Sequence, residues 1–178
     1  GDSLNPNYRS RFVAMEFNNS QVEGLFASTP PLEALKVLVS DAATSFKEER
    51  QTGTPGVFVD FTDREEDIFE KIIMVNDIAR AYFEAPATRQ IAVELPDEDR
   101  NEGEEEMVGL LQMSLYGTRD AARNFQKEVQ RFLVGHGFVI GKYNSSTFFH
   151  KAKRLKLLVH GDDFVTEGCR QHVLWLKG

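Results

Sequence analysis

Three short apolar runs near the C-terminus, "FFH", "LKLLVH" and "FVT", are separated by only a few residues each. A parallel crossover needs a dozen or more residues, so links this short turn neighbouring runs back on one another as antiparallel strands. Phe148–His150 is expected to pair with Leu155–His160 across the basic turn Lys151–Arg154. Leu157–His160 is expected to pair with Phe164–Thr166 across Gly161, Asp162 and Asp163. That last unit reads as a tight hairpin with two adjacent aspartates at its tip. Adjacent carboxylates repel, and in a partly buried site each pushes the other's pKa up. The pair is therefore either a solvated turn or the seat of something positive.

The 178 residues suit one domain, and a hydrophobic content of 41% is enough for a core. The single cysteine, Cys169, excludes a disulfide framework and a multi-cysteine zinc site. The four histidines, His136, His150, His160 and His172, show no metal-ligand spacing. No apolar run approaches the roughly 20 residues of a membrane span, and "GDSLNPNYRSRF" lacks a signal-like run. An intracellular, unsecreted protein with no membrane partner is expected. The net charge of −7 argues at first against a nucleic-acid partner. The acidity is local, however. Residues 47–71 hold eight acidic and four basic residues, and residues 94–106 hold eight and one. Elsewhere 16 basic residues face 12 acidic ones, so the rest of the chain is mildly basic.

"YRSRFVAMEF" (Tyr8–Phe17) alternates and predicts a strand with Arg9 and Arg11 on one side. "STPPLEALKVLVSDAATSF" predicts a helix from about Pro31 to Ser45, with Ser28 and Thr29 as candidate caps. Lys47–Lys71, charged and punctuated by Gly53, Pro55 and Gly56, reads as an insertion. "IIMV" is a buried strand running into Asp77, "RQIAVELP" a second short strand, and "DEDRNEGEEE" a solvated loop. A helix is expected from Thr118, as its cap, to about Val134. Its apolar stripe would be Ala122, Phe125, Val129 and Phe132. Its row of Arg119, Arg123, Lys127 and Arg131 fits either a track for a nucleic-acid backbone or a solvated face. Phe125, Phe132, Phe138, Phe148 and Phe149 are expected in the core. "KAKRLK" reads as a basic turn that keeps a hairpin soluble.

Asp77 thus ends one apolar strand, and Asp162 and Asp163 sit on a later hairpin. If both strands are central neighbours in one sheet, the carboxylates converge at one edge. Mg²⁺ takes oxygen ligands, typically one or two carboxylates plus substrate phosphates. Two such ions roughly 3.5–4 Å apart serve phosphoryl transfer, and a cation also explains the tolerated like charges.

The segments "YRSRFVAMEF", "VNDIARAYFEAP", "SLYGTRDAARNF" and "HGDD" together resemble the reverse transcriptase domain of a copia-type retrotransposon Pol polyprotein. They occur in that family's order from about Tyr8 to Gly168. The resemblance implies an α+β fold, with a palm-type antiparallel sheet, helices on one face and part of a fingers subdomain. It implies an RNA-directed DNA polymerase needing two Mg²⁺ ions, for which Mn²⁺ can substitute. Its partners would be an RNA or DNA template with primer, and deoxynucleoside triphosphates. Asp77 and Asp162 would be the main metal ligands and Asp163 the supporting one. Tyr82 would crowd the ribose 2′ position, and Ile78 would offer a backbone group near the metals and triphosphate. Tyr116 and Gly117 would line the incoming nucleotide and template, and Arg11 would touch the triphosphate. The site of action would be the cytoplasm, the nucleus or an element-encoded particle.

The sequence departs from that pattern in several places. His160 stands where the family usually has Tyr, "GLLQM" precedes Ser114 where basic residues are usual, and "DAAR" replaces "QAPR". The Lys47–Lys71 insertion falls where the family runs through a short link. The chain is expected to be a fragment, residues 1–178 forming fingers and palm without thumb, RNase H or the other Pol domains. Two alternatives stay open. One is a catalytically inactive or truncated retroelement remnant that keeps the palm fold. The other is a different palm-type nucleotidyl transferase or cyclase, against which "SLYG" and the Asp77-to-Tyr82 spacing count.

Overall fold

The apolar run before Asp77 forms strand β1 (Lys71–Asp77), and it is an edge strand of a five-stranded antiparallel sheet. The computed structural model describes residues 12–17, 24–44, 70–103 and 106–177. The chain divides into two compact units, Gly1–Ala27 with Arg80–Val129, and Ser28–Ala79 with Gln130–Gly178. The architecture is mixed α+β.

The second unit holds the five-stranded sheet. Strands β4 (Phe138–Ile140), β5 (Thr147–His150), β6 (Leu155–His160) and β7 (Asp163–Cys169) join β1 in the order β1-β7-β6-β5-β4. Both expected hairpins form, with His150 opposite Leu155 and His160 opposite Asp163. Asp163 is therefore the first residue of β7 rather than part of the tip. The two-residue turn is Gly161 and Asp162, with Gly161 at a φ of 62°. Two-residue hairpin turns match the strand twist only with positive φ, which glycine adopts freely. Lys71, counted with the insertion in the sequence reading, opens β1 instead. Residues 45–69 and the strand-like "GVFVDF" lie outside the described residues.

Side chains alternate across a strand, so each register row has one face. The row Phe148, Leu157 and Thr166 is buried, and Phe138, Leu155 and Val159 on the same face are buried too. Helix α3 (Arg170–Lys177) reaches this side, where the Trp175 ring meets His150 edge to face at 5.7 Å. The other face carries Lys71, Lys156 and Glu167 and receives helix α1 (Leu32–Ala42). The helices therefore do not share one face, as the sequence reading expected. Phe149 belongs to this second face and is 41% exposed, so it is not core. Helix α1 starts after Pro31 with no side-chain cap. Ser28 and Thr29, the expected caps, do not cap it, and Ser28 Oγ instead donates to Asn144 Oδ1 at 3.2 Å. The Ser28 carbonyl accepts from Ser146 Oγ, and the Thr29 carbonyl accepts from Asn144 Nδ2.

Helix α1 is fixed to the sheet by four charges. Lys71 Nζ lies 3.1 Å from Asp41 Oδ2 and 3.8 Å from Glu167 Oε1. Lys156 Nζ contacts Asp41 Oδ2 and lies 3.4 Å from Glu167 Oε2. Lys156, read from the sequence as part of a basic turn, thus completes a ring of alternating charge. The Lys156 ammonium holds the Asp41 carboxyl down at about 2, with Lys71 helping. Burial pushes the Glu167 carboxyl up, because its side chain is 1% exposed and neither oxygen accepts a hydrogen bond.

The signs of these shifts oppose each other. Asp41 contributes stability above its ordinary value of 3.8 that is lost as pH falls to about 2. Glu167 favours its neutral form in the fold, so it lowers stability as pH rises above its ordinary 4.5. Removing one partner of a buried ionic group leaves an uncompensated charge. Lys71→Met is therefore expected to cost about 3 kcal/mol at neutral pH. The loss should shrink near pH 4.5, where Glu167 can protonate. Urea midpoints of both proteins at the two pH values check this, and a pH-independent difference would contradict the ring of charges.

The first unit holds a two-stranded ribbon, β2 (Ala92–Glu94) and β3 (Val108–Leu110), with Val93 opposite Gly109. It continues as a bridge between Pro86 and Met113. Helix α2 (Ala121–Gly135) begins in this unit. Its first turn opens at Asp120, whose carbonyl accepts the Asn124 N–H, and not at Thr118. Thr118 Oγ1 instead donates to the Leu115 carbonyl. The buried face of α2 is Ala121, Phe125, Val129 and Leu133, while Phe132 is 56% exposed. The expected stripe was thus right at Phe125 and Val129, one residue late at Ala122 and one residue early at Phe132. Starting the helix at Asp120 leaves Arg119 in the preceding turn, so α2 carries only Arg123, Lys127 and Arg131 of the basic row. Residues 12–17 join no strand ladder, and Ala14 N–H donates to the Tyr116 carbonyl at 2.7 Å. Arg9 and Arg11 lie outside the described residues. No helix among the described residues is long and apolar enough to cross a membrane.

Candidate active site

In the second unit, β1 delivers Asp77 and the β6–β7 hairpin delivers Asp162 and Asp163. The β1–β7 register sets Asp77 opposite Asp163, and the β6–β7 register sets Asp163 opposite His160. Directly opposed residues share a face with Cβ atoms roughly 4.5–5.5 Å apart. Asp77, Asp163 and His160 therefore form one row at the end of the sheet. Asp162 joins them through the backbone, because Ile78 N–H donates to its carbonyl at 3.0 Å. Ile78, expected to offer a backbone group near the metals and triphosphate, thus has its N–H engaged in closing this end. All four polar residues are exposed.

The donors are carboxylate oxygens open to solvent, which is the set a hard divalent cation takes. Among the described residues, no three His, Cys, Asp or Glu side chains come together around one point. This fits Mg²⁺ chemistry in one form only. One or two carboxylates would hold each ion, and water and phosphate oxygens would complete the shell.

The other sequence-predicted residues lie in the first unit. Tyr82 sits on a short 3₁₀ turn (Ala81–Glu84) between Ala81 and Ala85, both fully buried. Its ring lies 4.4 Å from that of Tyr116 and 6.0 Å from that of Phe125. Phe83 meets Tyr116 edge to face at 5.9 Å. Gly117 has a φ of 90°, and a Cβ there would fall 1.8 Å from the Ala14 carbonyl oxygen. Glycine is needed at that position because another stretch of backbone fills the space.

Behind Tyr116 is a polar network absent from the sequence reading. Arg89 donates from Nη1 to Glu16 Oε1 at 3.0 Å and from Nη2 to Glu16 Oε2 at 2.9 Å. Its Nη2 also donates to Asp120 Oδ1 at 2.9 Å. Glu16 Oε2 accepts the Arg119 N–H at 2.8 Å. Asn124 Nδ2 donates to Ser114 Oγ and to Asp120 Oδ2. The Arg89 guanidinium holds the carboxyls of both Glu16 and Asp120 below their usual range. The two carboxylates raise the already high Arg89 value further. The only local signal was Asp120 before two alanines, an N-cap pattern. Arg89 and Glu16 have none, because their complementarity spans 73 residues.

Comparison of the chain with protein-family models, with curated proteins and with solved structures finds no match.

Proposed function

We propose that this chain is the fingers and palm of an RNA-directed DNA polymerase of the copia retrotransposon type. The observation that carries the reading is the register of β1 with β7. It brings Asp77 opposite Asp163 and beside the Asp162 turn, although the two segments are far apart in sequence. A solvated turn has no need of a third carboxylate from a distant strand. The resemblance of "VNDIARAYFEAP", "SLYGTRDAARNF" and "HGDD" to the family supplies the reaction class.

In this reading a primer 3′-hydroxyl attacks the α-phosphate of a deoxynucleoside triphosphate. The new O–P bond replaces the bond to pyrophosphate, which leaves. Bound Mg²⁺ would offset the charge on the attacking and leaving oxygens. Asp77 and Asp162 would hold the ions between them, with Asp163 in support. The protein contributes orientation and electrostatics and forms no covalent intermediate. The Tyr82 ring, packed against Tyr116, would exclude a ribose 2′-hydroxyl. Template pairing selects the base, so no side chain needs to read sequence.

Primer extension on an RNA template tests this. Mg²⁺-dependent addition of deoxynucleotides is expected, and its absence at saturating primer–template would favour the remnant instead.

A further inference from the structure

We propose that Arg89 is a positioning residue for the Tyr82–Tyr116 pair. The inference rests on the polymerase reading for its consequence and on the geometry for its mechanism. Arg89 itself meets neither ring among the contacts above. It acts through the backbone on both sides of Tyr116.

On the C-terminal side, Arg89 holds Glu16, and Glu16 holds the Arg119 N–H. Holding Glu16 also keeps residues 12–17 in place, from which Ala14 N–H grips the Tyr116 carbonyl at 2.7 Å. On the N-terminal side, Arg89 holds Asp120, which Asn124 links to Ser114. Ser114 N–H donates to the Ala85 carbonyl at 2.7 Å, and Ala85 N–H donates to the Tyr82 carbonyl at 3.2 Å. The turn that carries Tyr82 and the turn that carries Tyr116 are thus tied to one guanidinium.

Its removal would have a specific consequence. Glu16 and Asp120 would face each other with no cation between them, and Asp120 is only 2% exposed. Repulsion between the two like charges is relieved by moving the more exposed partner toward water, and that is Glu16, 24% exposed against 2% for Asp120. The grip of Ala14 on Tyr116 then loosens. The Tyr82 ring loses the neighbour at 4.4 Å that fixes it. Arginine is required for the full effect, because only a planar fork meets one carboxylate bidentately while touching a second.

Arg89→Met, Arg89→Lys and Tyr82→Ala are compared with the parent by two readouts. The first is the nuclear Overhauser contact between the Tyr82 and Tyr116 rings. It should be lost in Arg89→Met and partly restored in Arg89→Lys. The second is the ratio of kcat/KM for a deoxynucleotide over its ribonucleotide. That ratio should fall roughly tenfold in Arg89→Met, approach the Tyr82→Ala value, and recover to within about threefold of the parent in Arg89→Lys. Persistent ring contacts, or a parallel loss for both nucleotides, would overturn the proposal. If the parent adds no nucleotide, the polymerase reading fails while the ring contacts still decide the role of Arg89. If Arg89→Met does not fold, Glu16→Gln tests the same link, since it keeps the Arg89–Asp120 pair and should weaken the ring contact alone.

Discussion

Asp162→Asn is expected to lower nucleotide addition by about 10³-fold or more while leaving the fold intact. The side chain keeps its shape and loses the charge a divalent cation needs. Asp162 is exposed at a turn, and exposed substitutions usually change stability by less than about 0.5 kcal/mol. A loss of activity therefore cannot be charged to unfolding. Asp77→Asn should behave the same way, since Asp77 comes from a different strand but occupies the same end of the sheet. Asp163→Asn should cost less, in keeping with a supporting ligand. Steady-state addition of one deoxynucleotide, with circular dichroism as the folding control, separates these outcomes. Equal activity in parent and Asp162→Asn would remove the carboxylates from the mechanism.

Gly117→Ala is expected to destabilise the first unit by about 3–4 kcal/mol. Two costs add. A φ of 90° strains any residue with a Cβ. The Cβ would also lie 1.8 Å from the Ala14 oxygen and 2.8 Å from its carbonyl carbon. Those atoms are backbone and cannot rotate away. Residues 12–17 would have to leave, and the bonds of Ala14 and Glu16 would leave with them. Gly161→Ala is the internal control. Its φ of 62° is similarly unfavourable, but nothing lies within 4 Å of the added carbon. It should cost only about 1–2 kcal/mol. Hydrogen exchange of the Tyr116 region and urea midpoints measure both. Equal losses in the two variants would mean that crowding at Gly117 is not the cause.

The parts of this fold that are legible in the sequence are those with local periodicity or forced connections. β5, β6 and β7 follow from short apolar runs joined by links too short to cross over. Helix α1 and most of α2 follow from their apolar spacing. The start of α2 was misplaced because Thr118 and Asp120 are both good capping residues, and only the Thr118–Leu115 bond distinguishes them. The pairing of β1 with β7 was expected only conditionally, since register between distant strands has no local signature.

The charged clusters were the least legible. Lys71 looked like the end of an acidic insertion and Lys156 like part of a basic turn. Both are spent on holding Asp41 of α1 over Glu167. Arg89, Glu16 and Asp120 come from three separate segments, and nothing in any one of them announces the other two. The candidate site shows the same division. Its residues were legible as motifs, whereas the network that orders the Tyr116 turn emerges only from the packed chain.

In the proposed reading, the sheet end bearing Asp77, Asp162 and Asp163 would hold divalent cations. Titration with Mn²⁺, followed by paramagnetic broadening of backbone amide signals, tests it most directly. Broadening is predicted first around residues 76–78 and 161–164, and Asp77→Asn combined with Asp162→Asn should abolish it there. The acidic stretch at 97–103 provides a comparison within the same molecule. Broadening confined to that stretch, with the sheet end unaffected, would contradict the account.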